Sequence, residues 1–301
     1  MTSAPSTILS TPTGLAYRVV GDPEGVAVLS LHGTPGSRFS GLPARDALLA
    51  LGLRVVTYDR PGYGDSPATE PRSVSALAGD VDEVLQAAGI EGPVGVVAGS
   101  GGSAIALAFA ARRPERVAAL SLIWPMAPCL KEPGSPGMGE HQWLFGMDDS
   151  QRGMHRLALQ DPAFLRDQLA VHLGPQGGAE GIVIDMEQVQ EPWGVDLDAV
   201  GGQVDIWWGT DSSVSPAEHA TWLAEHLPAA EVHTHPQDEP QWHTRRLVEV
   251  YAKLGERLGV APLSAQELAA ATAAVDTDGC GGPGAGGCPC GSGGSGGCGS
   301  H

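Results

Sequence analysis

Apolar runs alternate with amphipathic stretches along most of the chain. "GLAYRVV", from Gly14, and "GVAVLSLHG", from Gly25, predict strands. The second is apolar at nearly every position, as a strand buried on both faces requires. "LPARDALLALG" predicts a short helix stopped at Gly52, and "LRVVTYD" the next strand. "SVSALAGDVDEVLQAAG" has the helical period and a glycine stop. "PVGVVAGS" reads as a buried strand running into a small-residue helix, "GGSAIALAFAARRP", and "RVAALSLIWP" as another strand. "QVDIWWG" and "AEVHTHP" predict two more, each followed by a helix, "SPAEHATWLAEHL" and "TRRLVEVYAKLGERL". This alternation predicts an α/β fold: a mostly parallel, doubly wound sheet covered on both faces.

Two regions break the pattern. Residues 126–199 are irregular and rich in Met, Gln, Trp and charge. They predict a helical cap inserted over the C-terminal edge of the sheet, the edge at which ligands bind in such folds. The core is then 1–125 with 200–260. Residues 261–278 predict a linker helix, opened by Ser264 and Glu267 at capping-box spacing. The tail, 279–301, is Gly/Cys-rich with no charged side chain beyond a protonated His301, too little apolar surface to order itself, and is expected to be disordered.

Composition narrows the function classes. The 301 residues are 42% hydrophobic, enough for a sizeable core. A formal net charge of −18 with no Lys/Arg cluster excludes nucleic acid and anionic membrane surfaces as partners. No apolar run is long enough to span a bilayer, and the first residues lack a secretory pattern, so a cytoplasmic location is expected. Of five cysteines, Cys129 stands alone and the others lie in the last 22 residues, which excludes a disulfide framework for the main body.

The strongest chemical signal is "AGSGG", Ala98 to Gly102, between a buried strand and a helix. Small residues on both sides of Ser100 permit a sharp turn that lifts its hydroxyl above the sheet. The Gly101 N–H, at the helix start, can donate to a developing oxyanion. "LHGTPGSR" follows another apolar strand and can bring the Thr34 N–H opposite it. His32 is expected to hold this loop by hydrogen bonds, and Asp59 and Arg60 of "YDRPGYGDS" to brace it.

Together these residues resemble the α/β-hydrolase family, most of all a branch of actinobacterial character with "HGTPGSR", "YDRPGYG" and a "PWG-x-D-L" segment, here Pro192 to Leu197. The resemblance spans roughly residues 14–258. It implies a Ser–Asp–His triad in chain order, ester-like substrates and no cofactor. Ser100 falls on the nucleophile. The acid and base positions depart from the pattern. In "GTDSSVSP" the acid position holds Ser212, with Asp211 one place early. In "PQDEPQWH" the base position holds Pro240, with His243 three places late. Either both loops shift and Asp211 orients His243 as the base, or no triad forms. In the second case the chain is a non-hydrolytic enzyme of the same fold, such as a peptide epimerase, or a binder. Trp143, Phe145, Met147 and Trp193 are candidate apolar lining for a small-molecule or peptide substrate.

The tail cysteines Cys280, Cys288, Cys290 and Cys298 are separated by seven, one and seven residues. Structural zinc sites use tighter pairs, but flexible glycine lets four thiolates wrap a soft metal ion. The Gly/Cys/Ser tract after "LSAQEL" also resembles the core of a post-translationally modified peptide precursor. An unmodified linker is the third reading.

Overall fold

The computed structural model describes residues 8–34, 36–128, 179–190, 193–209, 217–235 and 242–278. In chain order the elements are β1 (Leu9–Ser10), β2 (Ala16–Gly21), β3 (Val26–Leu31), α1 (Arg45–Ala50), β4 (Leu53–Tyr58), α2 (Val74–Ala87), β5 (Val94–Gly99), α3 (Gly102–Arg112), β6 (Val117–Ile123), α4 (Ala179–Gln190), β7 (Gln203–Gly209), α5 (Ala217–His226), β8 (Ala230–His235), α6 (Trp242–Arg257) and α7 (Ala265–Asp278). The seven predicted strands are present, and the two-residue β1 joins them at the edge.

The strands form one sheet in the order β1-β2-β4-β3-β5-β6-β7-β8. β1, β2 and β4 pair antiparallel, and every pairing from β4 to β8 is parallel. A parallel neighbour demands a crossover, and helices supply it on both faces. Successive side chains of a strand point to opposite faces. Accordingly Val94, Val96 and Ala98 pack with α2 and α3 (Val81, Leu85, Ile105, Phe109), while Val97 of the same strand packs with Leu48 of α1 and Val250, Tyr251 and Leu254 of α6. β5 is thus apolar throughout because neither of its faces meets water.

Local signals fix the helix ends. The Ser73 side chain accepts from the Ala76 N–H and caps α2. At α7 the expected capping box forms: Ser264 N–H donates to Glu267 Oε2 at 2.8 Å, and Glu267 N–H to Ser264 Oγ at 3.3 Å. These bonds hold the exposed Glu267 carboxyl below its ordinary pKa. α7 is docked. Val260 lies beside Gly52 at the N-terminal edge of the sheet, and further along Ala271 packs with Val248 of α6 and Ala47 of α1. α7 therefore rests on both α6 and α1. Among the described residues, no helix is long and apolar enough to cross a membrane.

Phe109 is fully buried between α3 and the sheet. Phe109→Ala is expected to cost about 3–5 kcal/mol of unfolding free energy, because the cavity cannot fully collapse. Urea denaturation of the two proteins measures it.

Candidate active site

Ser100 links β5 to α3 in the left-handed region, φ 45°. Its N–H donates to Ile123 O of β6 at 2.9 Å, so the strand pairing extends up to the serine before the chain turns. A non-glycine residue there is strained and persists only where its surroundings hold it. They do so by close approach. A Cβ on Gly102 would come within 2.6 Å of His32 O, and one on Gly101 would collide with Thr34 Oγ1. The small residues of "AGSGG" therefore let the start of α3 sit against the loop after β3. Ser103 Oγ donates to Ser100 O at 2.5 Å and accepts from Met126 N–H at 3.0 Å, fixing the turn from below.

The other left-handed non-glycine residue among those described is Trp124, φ 46°, directly after β6. Its N–H donates to Trp207 O of β7 at 2.9 Å. Ser100, Thr34, Leu31, Trp124, Trp207 and Leu247 all line one cavity of about 350 Å³, mostly apolar, at the C-terminal edge of the sheet. Both strained residues face the same space.

Behind this cavity lies a buried polar network. His32 Nε2 accepts from the Arg60 backbone N–H at 3.2 Å, so the ring proton resides on Nδ1, which donates to Gly33 O at 2.8 Å. Burial and the Arg60 charge push the His32 pKa well below its ordinary value and keep the ring neutral. Arg60 Nη2 donates to Gly33 O at 2.9 Å and to Thr34 Oγ1 at 3.0 Å; its Nη1 donates to Asp185 Oδ1 of α4 at 2.6 Å. Asp185 Oδ2 accepts from Thr34 Oγ1 and from Tyr63 OH, each at 2.5 Å. Burial works against the charge on Arg60, but the Asp185 carboxylate raises its pKa above the ordinary value. Burial and Asp185 push the Tyr63 hydroxyl up. Asp59, fully buried, accepts from Arg38 through both its backbone N–H and its guanidinium, and from Asp65 N–H at 3.0 Å. His32, Asp59 and Arg60 are the braces their motifs predict.

The sequence-predicted site is only partly within view. Ser100, Gly101 and Thr34 are brought together. Asp211, Trp143, Phe145, Met147 and the four tail cysteines lie outside the described residues, as do Ser212 and Pro240. His243 falls in the first turn of α6, but its side chain lies outside them too. Trp193 requires a correction. It is fully buried in the core beside α3 and α5 and does not line the cavity. An indole in an otherwise small-residue layer fills volume between helix and sheet. Trp207 and Trp124 line the space instead; both stood in predicted strands, with no sequence cue to separate lining from core. Asp185 was also missed. Its only signal is a lone acid inside the apolar run "GIVID".

Two of the described histidines are engaged away from Ser100. His32 has both nitrogens engaged. His233 Nε2 bonds Asp205 Oδ1 at 2.8 Å, and its ring stacks on Trp207 at 4.3 Å. The register Gly99–Ile123–Trp207–His233 puts β8 three strands from β5, about 14 Å away. Asp205, Glu231 and His233 place donor atoms within 4.8 Å of one another. Arg257 already pairs with both carboxylates of that cluster, bonding Asp205 Oδ1 at 2.9 Å and Glu231 Oε2 at 2.6 Å.

The model of the α/β hydrolase fold matches residues 26–177. The chain belongs to that family. It is 27% identical over 270 residues to epoxide hydrolase B of Mycobacterium tuberculosis, covering 81% of this chain and 69% of that one. It is 29% identical over 234 residues to the pimeloyl-[acyl-carrier protein] methyl ester esterase of Chromobacterium violaceum, covering 71% of this chain and 87% of that one. The crystal structure of the enol-lactonase from Burkholderia xenovorans LB400 superposes with a TM-score of 0.60 at 20% identity, over 84% of this chain and all of that one (100%). That likeness is one of fold.

The neutral His32 sets a pH dependence. Its folded pKa lies below the 6.5 of an ordinary histidine, so between the two values the unfolded chain binds a proton that the folded one excludes. Its contribution to stability is complete above pH about 6.5 and is lost as the pH falls below it. The urea midpoint is expected to drop more steeply between pH 7 and pH 5 in the wild type than in His32→Gln.

Proposed function

We propose that the chain is a serine hydrolase that cleaves a small ester-like or amide substrate through an acyl-enzyme. The observation that carries this reading is the strained Ser100 at the floor of an apolar cavity, beside Gly101 and Thr34. Both curated relatives are named for hydrolysis, one of them for a methyl ester.

In this reading Ser100 Oγ attacks the substrate carbonyl carbon as His243 takes its proton, and Asp211 orients and stabilises the resulting imidazolium. The carbonyl π pair moves onto oxygen, where the Thr34 and Gly101 N–H groups accept the charge as hydrogen-bond donors. Collapse of the tetrahedral intermediate expels the alkoxide or amine, protonated by His243. Water then repeats the sequence on the acyl-enzyme and releases the acid. No step calls for a metal or organic cofactor. The apolar walls suit an uncharged acyl or alkyl group. By count along the sequence, Asp211 comes one place before, and His243 three places after, the positions from which the family draws its acid and base.

A fluorophosphonate probe is expected to label wild-type protein and not Ser100→Ala; equal labelling of both would overturn the assignment of the nucleophile. His243→Ala is expected to lower turnover of an activated ester about as much as Ser100→Ala, of order 10⁴-fold or more, because triad members act as a unit. Turnover that survives His243→Ala but not Ser100→Ala would assign the base to another residue, with His32, His233 and His235 next to test.

A further inference from the structure

We propose that Asp185, on the helix inserted between β6 and β7, is a positioning residue that aims the Thr34 N–H at Ser100 by way of Arg60. The inference rests on the hydrolase reading for its catalytic consequence, but the clamp itself is visible without it.

The Gly33–Thr34 peptide is a rigid plane whose carbonyl and N–H point in opposite directions. Fixing one fixes the other. The Gly33 carbonyl accepts from two donors, His32 Nδ1 at 2.8 Å and Arg60 Nη2 at 2.9 Å. The same peptide packs on the elbow: a Cβ on Gly33 would lie 3.2 Å from Ser100 Cβ, and a Cβ on Gly101 3.8 Å from Thr34 N. The two holding groups are themselves tied together, since the Arg60 N–H donates to His32 Nε2. What holds the guanidinium is Asp185. It takes Arg60 Nη1 on one oxygen and the Thr34 hydroxyl on the other. The carboxylate thus grips both the clamp and the residue being clamped.

The helix carrying Asp185 is seated for this role. The Gly181 N–H donates to Gly62 O at 3.1 Å, and a Cβ on Gly62 would come within 2.6 Å of Gly181 N. A Cβ on Gly181 would collide with the Tyr63 ring. Backbone meets backbone here, so α4 can bring a short acid to Arg60. Loss of that acid would leave the Arg60 fork anchored through Nη2 only, at Gly33 O and the Thr34 hydroxyl.

The test compares Asp185→Asn with Tyr63→Phe, which also removes a hydrogen bond to the Asp185 carboxylate but leaves the Arg60–Asp185 pair. Steady-state ester hydrolysis and amide hydrogen exchange are measured on both and on the wild type. In Asp185→Asn, kcat is expected to fall about 10- to 100-fold with KM within about threefold, short of the 10²–10³ lost when an oxyanion donor is deleted. Exchange at the Arg60 amide should rise about tenfold or more while β3 and β5 amides keep their protection. Tyr63→Phe should hold kcat within about threefold of wild type. If Asp185→Asn does not fold, Thr34→Val keeps the donor N–H and loses the hydroxyl bonds to the clamp, and should show a smaller fall in kcat at constant KM. An active wild type with kcat unchanged in Asp185→Asn, or equally lowered in Tyr63→Phe, would overturn the positioning role and leave the hydrolase reading standing. A wild type without Ser100-dependent turnover would overturn the hydrolase reading. The exchange data then decide alone: local loss of protection at Arg60 supports the clamp, and unchanged or sheet-wide exchange refutes it.

Discussion

Ser100 is held at φ 45°, in a conformation that a serine leaves unless its neighbours forbid it. Much of the architecture serves that constraint. β5 ends under it, bonded to β3 on one side and β6 on the other. The nine residues from Gly102 to Ala110 are all buried, so α3 is pressed against the sheet rather than laid over it. The loop after β3 closes from above, at distances that leave no room for a Cβ on Gly102. Strain stored in one residue is balanced by close packing in three directions, with the Ser103 hydroxyl bonded to Ser100 O and Met126 N–H beneath the turn.

The polar side of the site follows a different logic. Charges are taken out of water in pairs of opposite sign. Asp59 ties Arg38 to the turn before Asp65, Asp185 ties Arg60 to Thr34 and Tyr63, and Asp205 ties Arg257 to His233. Such pairs add little to stability compared with well-packed apolar replacements, yet removing one partner costs about 3–5 kcal/mol because the other is left buried and uncompensated. Their effect is to specify loop geometry. Two of the three sit behind the Ser100 cavity, where geometry matters most.

The fold was legible because its signals are local and repeated. Each strand and helix of the core declares itself by period, and Ser264 and Glu267 mark a helix start by cap chemistry. The elbow was legible for the same reason: five consecutive residues meet a steric requirement that few others satisfy. What escaped was long-range. Asp185 stands 125 residues from Arg60 in sequence, in a stretch with no motif, and nothing local tells a buried paired acid from a solvated one. Trp193 and Trp207 are alike in one dimension. They differ only in which side of the sheet edge they reach: one fills the core beside α3 and the other walls the cavity. The acid and base loops contradict their family spacing, and spacing was the only sequence information they offered.

The docking of α7 has a further consequence. Val260 lies beside Gly52, and Ala271 packs with Val248 of α6 and Ala47 of α1. Joined to α6 by the seven residues between Arg257 and Ala265, α7 meets those helices at a local concentration on the order of millimolar for short flexible linkers, which dilution of the protein does not lower.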